Sequence, residues 1–152
     1  DGLKFGTDTA AANALDDYET GTWTPNLKSN NSTVTWQSGE NRAGIYTKIG
    51  RMVYAQFDLN GTTTGGTYNS ANQVIGGLPY TSSSVNQNGV GLVQDVSGIA
   101  YGSGYGDIYG RVNASVTECQ LLQKKIDGTD HNGSPTFSSG AFVLRGMIIY
   151  NI

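Results

Sequence analysis

Tyr101, Tyr105 and Tyr109 recur at every fourth position, with Gly102, Gly104 and Gly106 between them and two short polar side chains, Ser103 and Asp107, interleaved. Those residue types suit a sugar. A saccharide presents flat apolar C–H faces edged with hydroxyls, so a site for one pairs accessible aromatic rings with side chains that both donate and accept. The glycines leave the ring faces open. The same composition also serves a packed β turn or a subunit seam, so two readings stand side by side for this stretch. Trp36, beside the loop Gly39 to Arg42, is a second glycan candidate, weighed against the usual fate of Trp, which is burial in a core or an interface. A third is the loop Asp127-Gly128-Thr129-Asp130-His131-Asn132, where His131 and Asn132 supply polar contacts or simply face solvent.

Other chemistries find little material. Cys119 is the only cysteine and His131 the only histidine, so neither an internal disulfide nor a His/Cys zinc site is expected. Cys119 reads as a small buried apolar residue rather than a nucleophile. The loop from Asp127 to Asp130 lacks the alternating oxygen ligands and terminal glutamate of a calcium loop. A glycoside hydrolase needs two carboxylates facing each other across a groove. Asp95 with Asp107, or Glu118 with Asp127, are available, but no spacing pairs them. Most of the 12 acidic residues sit in turn-like contexts where they serve the backbone. The expectation is a protein that is not an enzyme and uses no cofactor or metal.

A net charge of -3 with 14% charged residues offers no field for a polyanion, so nucleic acid is not an expected partner. No apolar run approaches the roughly 20 residues that cross a bilayer as a helix, and no membrane insertion is expected. The N-terminus has no signal-peptide layout. Its abrupt start at Asp1-Gly2 reads as a fragment of something longer.

Strands must position whatever the loops do. From Met52 the chain alternates strictly, Val53, Ala55, Phe57 and Leu59 pointing one way and Tyr54, Gln56 and Asp58 the other. That period of two marks an interior strand with one buried and one wetter face. Before it, Gly21 to Leu27 reads as the first strand with Pro25 at an edge or a bend, and Thr33 to Trp36 as a short second one. Beyond it, Gln73 to Tyr80 is an apolar crossing and Val90 to Val96 alternates. Ile108, Val112, Ala114 and Val116 share a face, and the parity change at Glu118 to Leu121 suggests a bulge. The closing strand, Ala141 to Ile152, is apolar on both sides, so both of its faces should be covered, the second by another subunit.

With 22 glycines, 9 tyrosines and few helix formers, the chain is expected to be all-β: an antiparallel β-sandwich, jelly-roll-like, of about eight or nine strands. Residues 21–152 form one domain in this reading. Residues 1–20 form a lead-in from an upstream stalk, with a short helix over Thr7 to Glu19.

Three stretches carry a resemblance: Ala14-Leu15-Asp16-Asp17-Tyr18-Glu19-Thr20-Gly21-Thr22-Trp23-Thr24-Pro25, then Gly44-Ile45-Tyr46-Thr47-Lys48-Ile49-Gly50-Arg51-Met52-Val53, then Ile75-Gly76-Gly77-Leu78-Pro79-Tyr80-Thr81-Ser82. In this order they resemble the C-terminal domain at the end of bacteriophage tail fibres and tailspikes. Past Thr81 only the style matches, with Gly- and Tyr-rich loops and a closing strand. The resemblance implies a virion appendage that is a parallel homotrimer following a fibre stalk. Its distal domain would touch a host-surface lipopolysaccharide or capsular polysaccharide, or would serve as a structural cap that helps the fibre trimerise. The motifs themselves look structural and bring no sugar-contacting residue with them.

Overall fold

The structure is a computed structural model that describes residues 17–29, 32–33, 35–36, 40–64, 72–85, 89–129, 134–137 and 140–152. Its elements are strands throughout: β1 (Tyr18–Trp23), β2 (Asn26–Ser29), β3 (Ser32–Thr33), β4 (Thr35–Trp36), β5 (Asn41–Ile49), β6 (Met52–Thr64), β7 (Gln73–Gly76), β8 (Gly89–Ser97), β9 (Ile99–Ala100), β10 (Tyr105–Val112), β11 (Glu118–Lys125), β12 (Thr136–Phe137) and β13 (Gly140–Asn151). Eleven strands form one sheet in the order β1-β5-β6-β13-β8-β10-β11-β7-β2-β3, with β4 pairing β6 beside that path. Every pairing is antiparallel, and β9 and β12 make a small second sheet.

The alternation at Met52 to Leu59 produces the longest ladders. β5 and β6 form a hairpin in which Ile49 faces Met52 across Gly50-Arg51. Gly50 has φ +56°, the left-handed conformation that a two-residue hairpin turn asks of its first central residue and that glycine adopts without strain. β13 lies on the other side of β6, with Leu144 opposite Leu59 and Ile148 opposite Ala55. Val53, Ala55, Phe57 and Leu59 are all buried, and so are Phe142, Leu144, Ile148 and Tyr150.

Curling of the sheet follows from one short connection. β1 ends the strand order at one side and β2 lies next to last at the other, yet only Thr24 and Pro25 separate them. Three peptide steps reach at most about 11 Å, so the two ends of the sheet must meet. The result is an antiparallel sandwich around a single core, in which Trp23 from β1 and Leu27 from β2 both take part. The fold class expected from the alternation and turn signals is the one observed, with its strands laid in one continuous path.

Several local expectations change. The first strand breaks at Thr24-Pro25 into β1 and β2, because proline cannot continue a ladder and the chain crosses there to the opposite layer. β1 begins at Tyr18, inside the expected lead-in, while the suggested helix lies largely outside the described residues. Ala114 and Val116 do not extend the face of Ile108 and Val112: β10 stops at Val112 and a turn carries the chain to β11, with Val112 opposite Cys119. The parity change near Glu118 is therefore a hairpin turn, with Ser115 at φ +56°, and not a bulge. Register irregularities occur instead between Tyr105 and Ile108 and in β8 opposite Arg145 and Gly146.

The inner face also explains two glycines. Trp23, Gly44, Phe57 and Gly146 follow one another across β1, β5, β6 and β13. A Cβ on Gly44 would lie 2.3 Å from Trp23 Nε1, so the indole occupies the place of a side chain there. The same Nε1 donates to the Gln56 carbonyl at 2.9 Å. The outer face differs: Ile45, Ile49, Met52, Val90 and Leu92 are exposed, and Val143, Met147 and Ile149 only half-buried. Among the described residues the last strand thus has one face buried and one only half-covered.

Candidate functional site

The tyrosine stretch leads from β9 through a turn into β10. Tyr105 N donates to Gly102 O at 3.0 Å, Ile126 N donates to Gly104 O at 2.9 Å, and Gly104 has φ +78°. These bonds fold the glycine-rich segment against the end of β11. Sequence reasoning missed the residue that holds it, Gln123, whose amide is fully buried. Gln123 Oε1 accepts from Gly102 N at 3.0 Å and Nε2 donates to Ala100 O at 3.4 Å. A buried amide that bonds only to backbone reads as a fixture rather than a ligand contact, because its polar groups must find partners inside. A polar residue amid Leu121 and Leu122 was the available signal.

Five of the eight nominated residues belong to that segment and the strand that follows it. Tyr101, Ser103 and Asp107 are exposed, and Tyr105 and Tyr109 half-buried. Lys125 Nζ lies 5.8 Å from the centre of the Tyr105 ring, a cation–π contact worth roughly 0.5–1 kcal/mol at such a surface. Tyr109 faces Leu92 across β8 and Leu122 across β11. The rim at 101–109 thus has two sides: Tyr105, opposite Lys125, shares the face of Ile108 and Gln123, and Tyr109, opposite Leu92 and Leu122, shares the other.

The remaining nominees do not join them. The backbone of Trp36 pairs with Thr63, and in the strand order β6, β13 and β8 stand between it and β10. His131 and Asn132 lie outside the described residues. Within their loop, Asp127 Oδ1 accepts from Thr129 N at 2.9 Å and from Thr129 Oγ1 at 2.7 Å. Those bonds hold its carboxyl below the usual range, and they make this part of the loop a turn at the surface.

The carboxylate pair Glu118 and Asp127 is separated by the length of β11, eight residues or about 23 Å at strand rise. That is far beyond the spacing of a glycosidase pair. Glu118 is engaged by Lys28 Nζ at 3.2 Å. Cys119 is buried, and desolvation pushes its thiol up to about 12, which leaves no thiolate at neutral pH. Among the described residues no group of three or more His, Cys, Asp or Glu is gathered that could hold a metal ion.

A second cluster draws on all three sequence stretches that carry the resemblance. Tyr46 of β5 donates its hydroxyl to Glu19 Oε1 of β1 at 2.5 Å. Tyr80 donates to the Tyr46 hydroxyl at 3.4 Å, and their rings meet edge to face at 5.6 Å. Lys48, buried, bonds Asp17 and lies 5.9 Å from the Tyr80 ring. The hydrogen bond from Tyr46 holds the Glu19 carboxyl below its usual range. The bond to Glu19 pushes the Tyr80 hydroxyl above its ordinary value. Tyr150, its hydroxyl raised to about 12 by burial, donates to Tyr80 O at 3.2 Å and accepts from Tyr80 N at 3.1 Å. The cluster fastens β1, β5, the segment after β7, and β13 to one another.

No family model matches the chain, and no curated protein matches it. Among solved structures it is similar to the crystal structure of Dettilon tailspike protein, with a TM-score of 0.60 at 17% sequence identity over 86% of this chain. The chain spans 23% of that protein's length. What the likeness establishes is the fold, an antiparallel β-sandwich of the kind a tailspike protein contains.

Proposed function

We propose that the chain is a domain of a bacteriophage tail fibre or tailspike that attaches to a host-surface glycan as a homotrimer, on the virion, beyond an upstream fibre stalk. It acts by binding and not by catalysis, and the polysaccharide or lipopolysaccharide of the host is its partner. One observation carries the reading: the outer face of β5, β6, β13 and β8 exposes Ile45, Ile49, Met52, Val90 and Leu92 together. Contiguous exposed apolar surface of that kind marks an interaction site. A trimer of a tailspike-like fold gives the hairpin end of this face, with Ile49, Met52 and Val90, a cover and leaves the rest of the surface for the ligand. Weak sites then suffice, because several copies on one particle multiply them.

The test is light scattering of the purified chain, followed by binding to fixed bacteria of the phage's host range. A trimer that binds, and whose binding is lost in a folded, trimeric Tyr105→Ala variant, supports the reading and its site. A second reading, a cap that trimerises the fibre without a ligand of its own, is favoured by the cluster around Tyr46, which fastens strands to one another. A tight trimer that binds no host cell would decide for the cap.

A further inference from the structure

A groove of about 620 Å³ crosses the outer face of the sheet at the end away from the Gly50-Arg51 hairpin. Its construction follows from the register. The floor is the backbone of the row that runs through Gly44, Phe57 and Gly146, whose inner side faces the core. One wall is the adjoining outward row, with Ile45, Gln56 and Met147; the other is the next, with Ala43, Asp58 and Arg145. Thr22 and Gln94 close the ends. Gln94 stands where β8 slips register against Arg145 and Gly146, the kind of irregularity that re-aims a side chain.

The polar groups here are set out in advance. Asp58 Oδ1 accepts from Arg145 Nε at 3.1 Å and from Asn60 Nδ2 at 2.8 Å. That leaves Oδ2 without a bond from any described residue and fixes the carboxylate plane. Gln56 and Gln94 each add an amide that donates and accepts, and Thr22 adds a hydroxyl. The apolar share comes from Ile45 and Met147. A peptide adding itself as a strand has no purchase, because the floor's backbone already bonds on both sides within the ladder. A volume in the range of ligand sites, with paired donors and acceptors above a flat floor, suits a ring carrying many hydroxyls.

We propose that this groove holds a segment of a host-surface saccharide, Asp58 accepting from one ring hydroxyl while Gln56 and Gln94 bond its neighbours. The proposal rests on the attachment reading above and adds a site distinct from the tyrosine rim, reached from β8, where Leu92 faces Tyr109.

The test uses a printed array of Gram-negative O-antigen and capsular polysaccharides, probed with the oligomer as purified. Wild type is compared with Asp58→Asn, which removes the charged acceptor, and with Ala43→Trp, which fills the groove from an exposed position without touching the core. Tyr105→Ala serves as the control for the other site. The expected result is binding by wild type that falls at least tenfold in both groove variants while their circular dichroism and oligomeric state stay unchanged. If both groove variants bind like wild type and Tyr105→Ala alone fails, the groove proposal is overturned and the attachment reading stands. If wild type binds nothing on an array that includes the host's own polysaccharides, both fall. If Ala43→Trp breaks up the oligomer, the groove belongs to a subunit seam and the proposal is wrong.

Discussion

The two faces of β6 carry similar side chains to opposite ends. Inward, Val53, Ala55, Phe57 and Leu59 meet side chains from β1, β2, β11 and β13 and lose their contact with water. Outward, Ile45, Met147 and Leu92 surround Gln56 in a row with no second layer from the described residues above them. The inner face is fixed by the chain's own packing, so substitutions there should register as stability. The outer face is apolar without being needed for the core, so substitutions there should register as assembly or binding.

The contrast can be broken at its strong end first. Leu144→Ala removes a fully buried side chain opposite Leu59, and chemical denaturation should show a loss of about 2–5 kcal/mol. A much smaller loss would mean that the inner face is loosely packed. Gly44→Val forces a side chain into the place of the Trp23 indole. Overpacking of this kind should cost about 1–3 kcal/mol and, by displacing the indole, alter the Trp fluorescence. Val90→Ser, at a side chain 46% exposed in the single chain, should change monomer stability by no more than about 0.5 kcal/mol yet dissociate the proposed trimer in light scattering. An unchanged oligomer would remove Val90 from the seam.

The smallest effect concerns acid. The Glu19 carboxyl is held below its usual range chiefly by the Tyr46 hydroxyl. A depressed folded-state pKa contributes stability above the unfolded value of 4.5, and that stability is lost as pH falls through the folded value. In Tyr46→Phe the Glu19 resonance, followed by NMR titration, should move up toward the ordinary carboxylate range, and the variant's stability should depend less on pH in that acid window. An unmoved titration would show that the bond does not persist in solution.

Local pattern carried much of the fold. The alternation at Val53 to Leu59 and at Phe142 to Tyr150 could be read without a structure because the pleat puts every second side chain on one face. Pro25 announced an edge or a bend for a reason internal to that residue. Reading failed where two causes share one signature. A hairpin turn after Val112 shifts the phase of apolar positions as a bulge does, and only the pairing of Val112 with Cys119 separates them.

The candidate sites divide along the same line. The rim at 101–109 was visible because its residues are neighbours in sequence. Gln123, 21 positions beyond the Gly102 amide it holds, was not. The cluster of Glu19, Tyr46, Lys48 and Tyr80 was visible only as three separate strings, and the structure brings residues from all three into contact. The groove was invisible altogether, since Gln56, Asp58, Gln94 and Arg145 come from three strands and share a wall or an end only through the register of β6, β13 and β8. Sequence alone determined which residues of the strictly alternating strand at Val53 to Leu59 face inward, because side-chain alternation is a property of each strand. The order of strands across the sheet, and with it every site built from more than one of them, was decided by the pairing of β1 with β5 and of β2 with β7, and by the insertion of the last strand between β6 and β8. These long-range pairings depend on how all the buried faces fit at once.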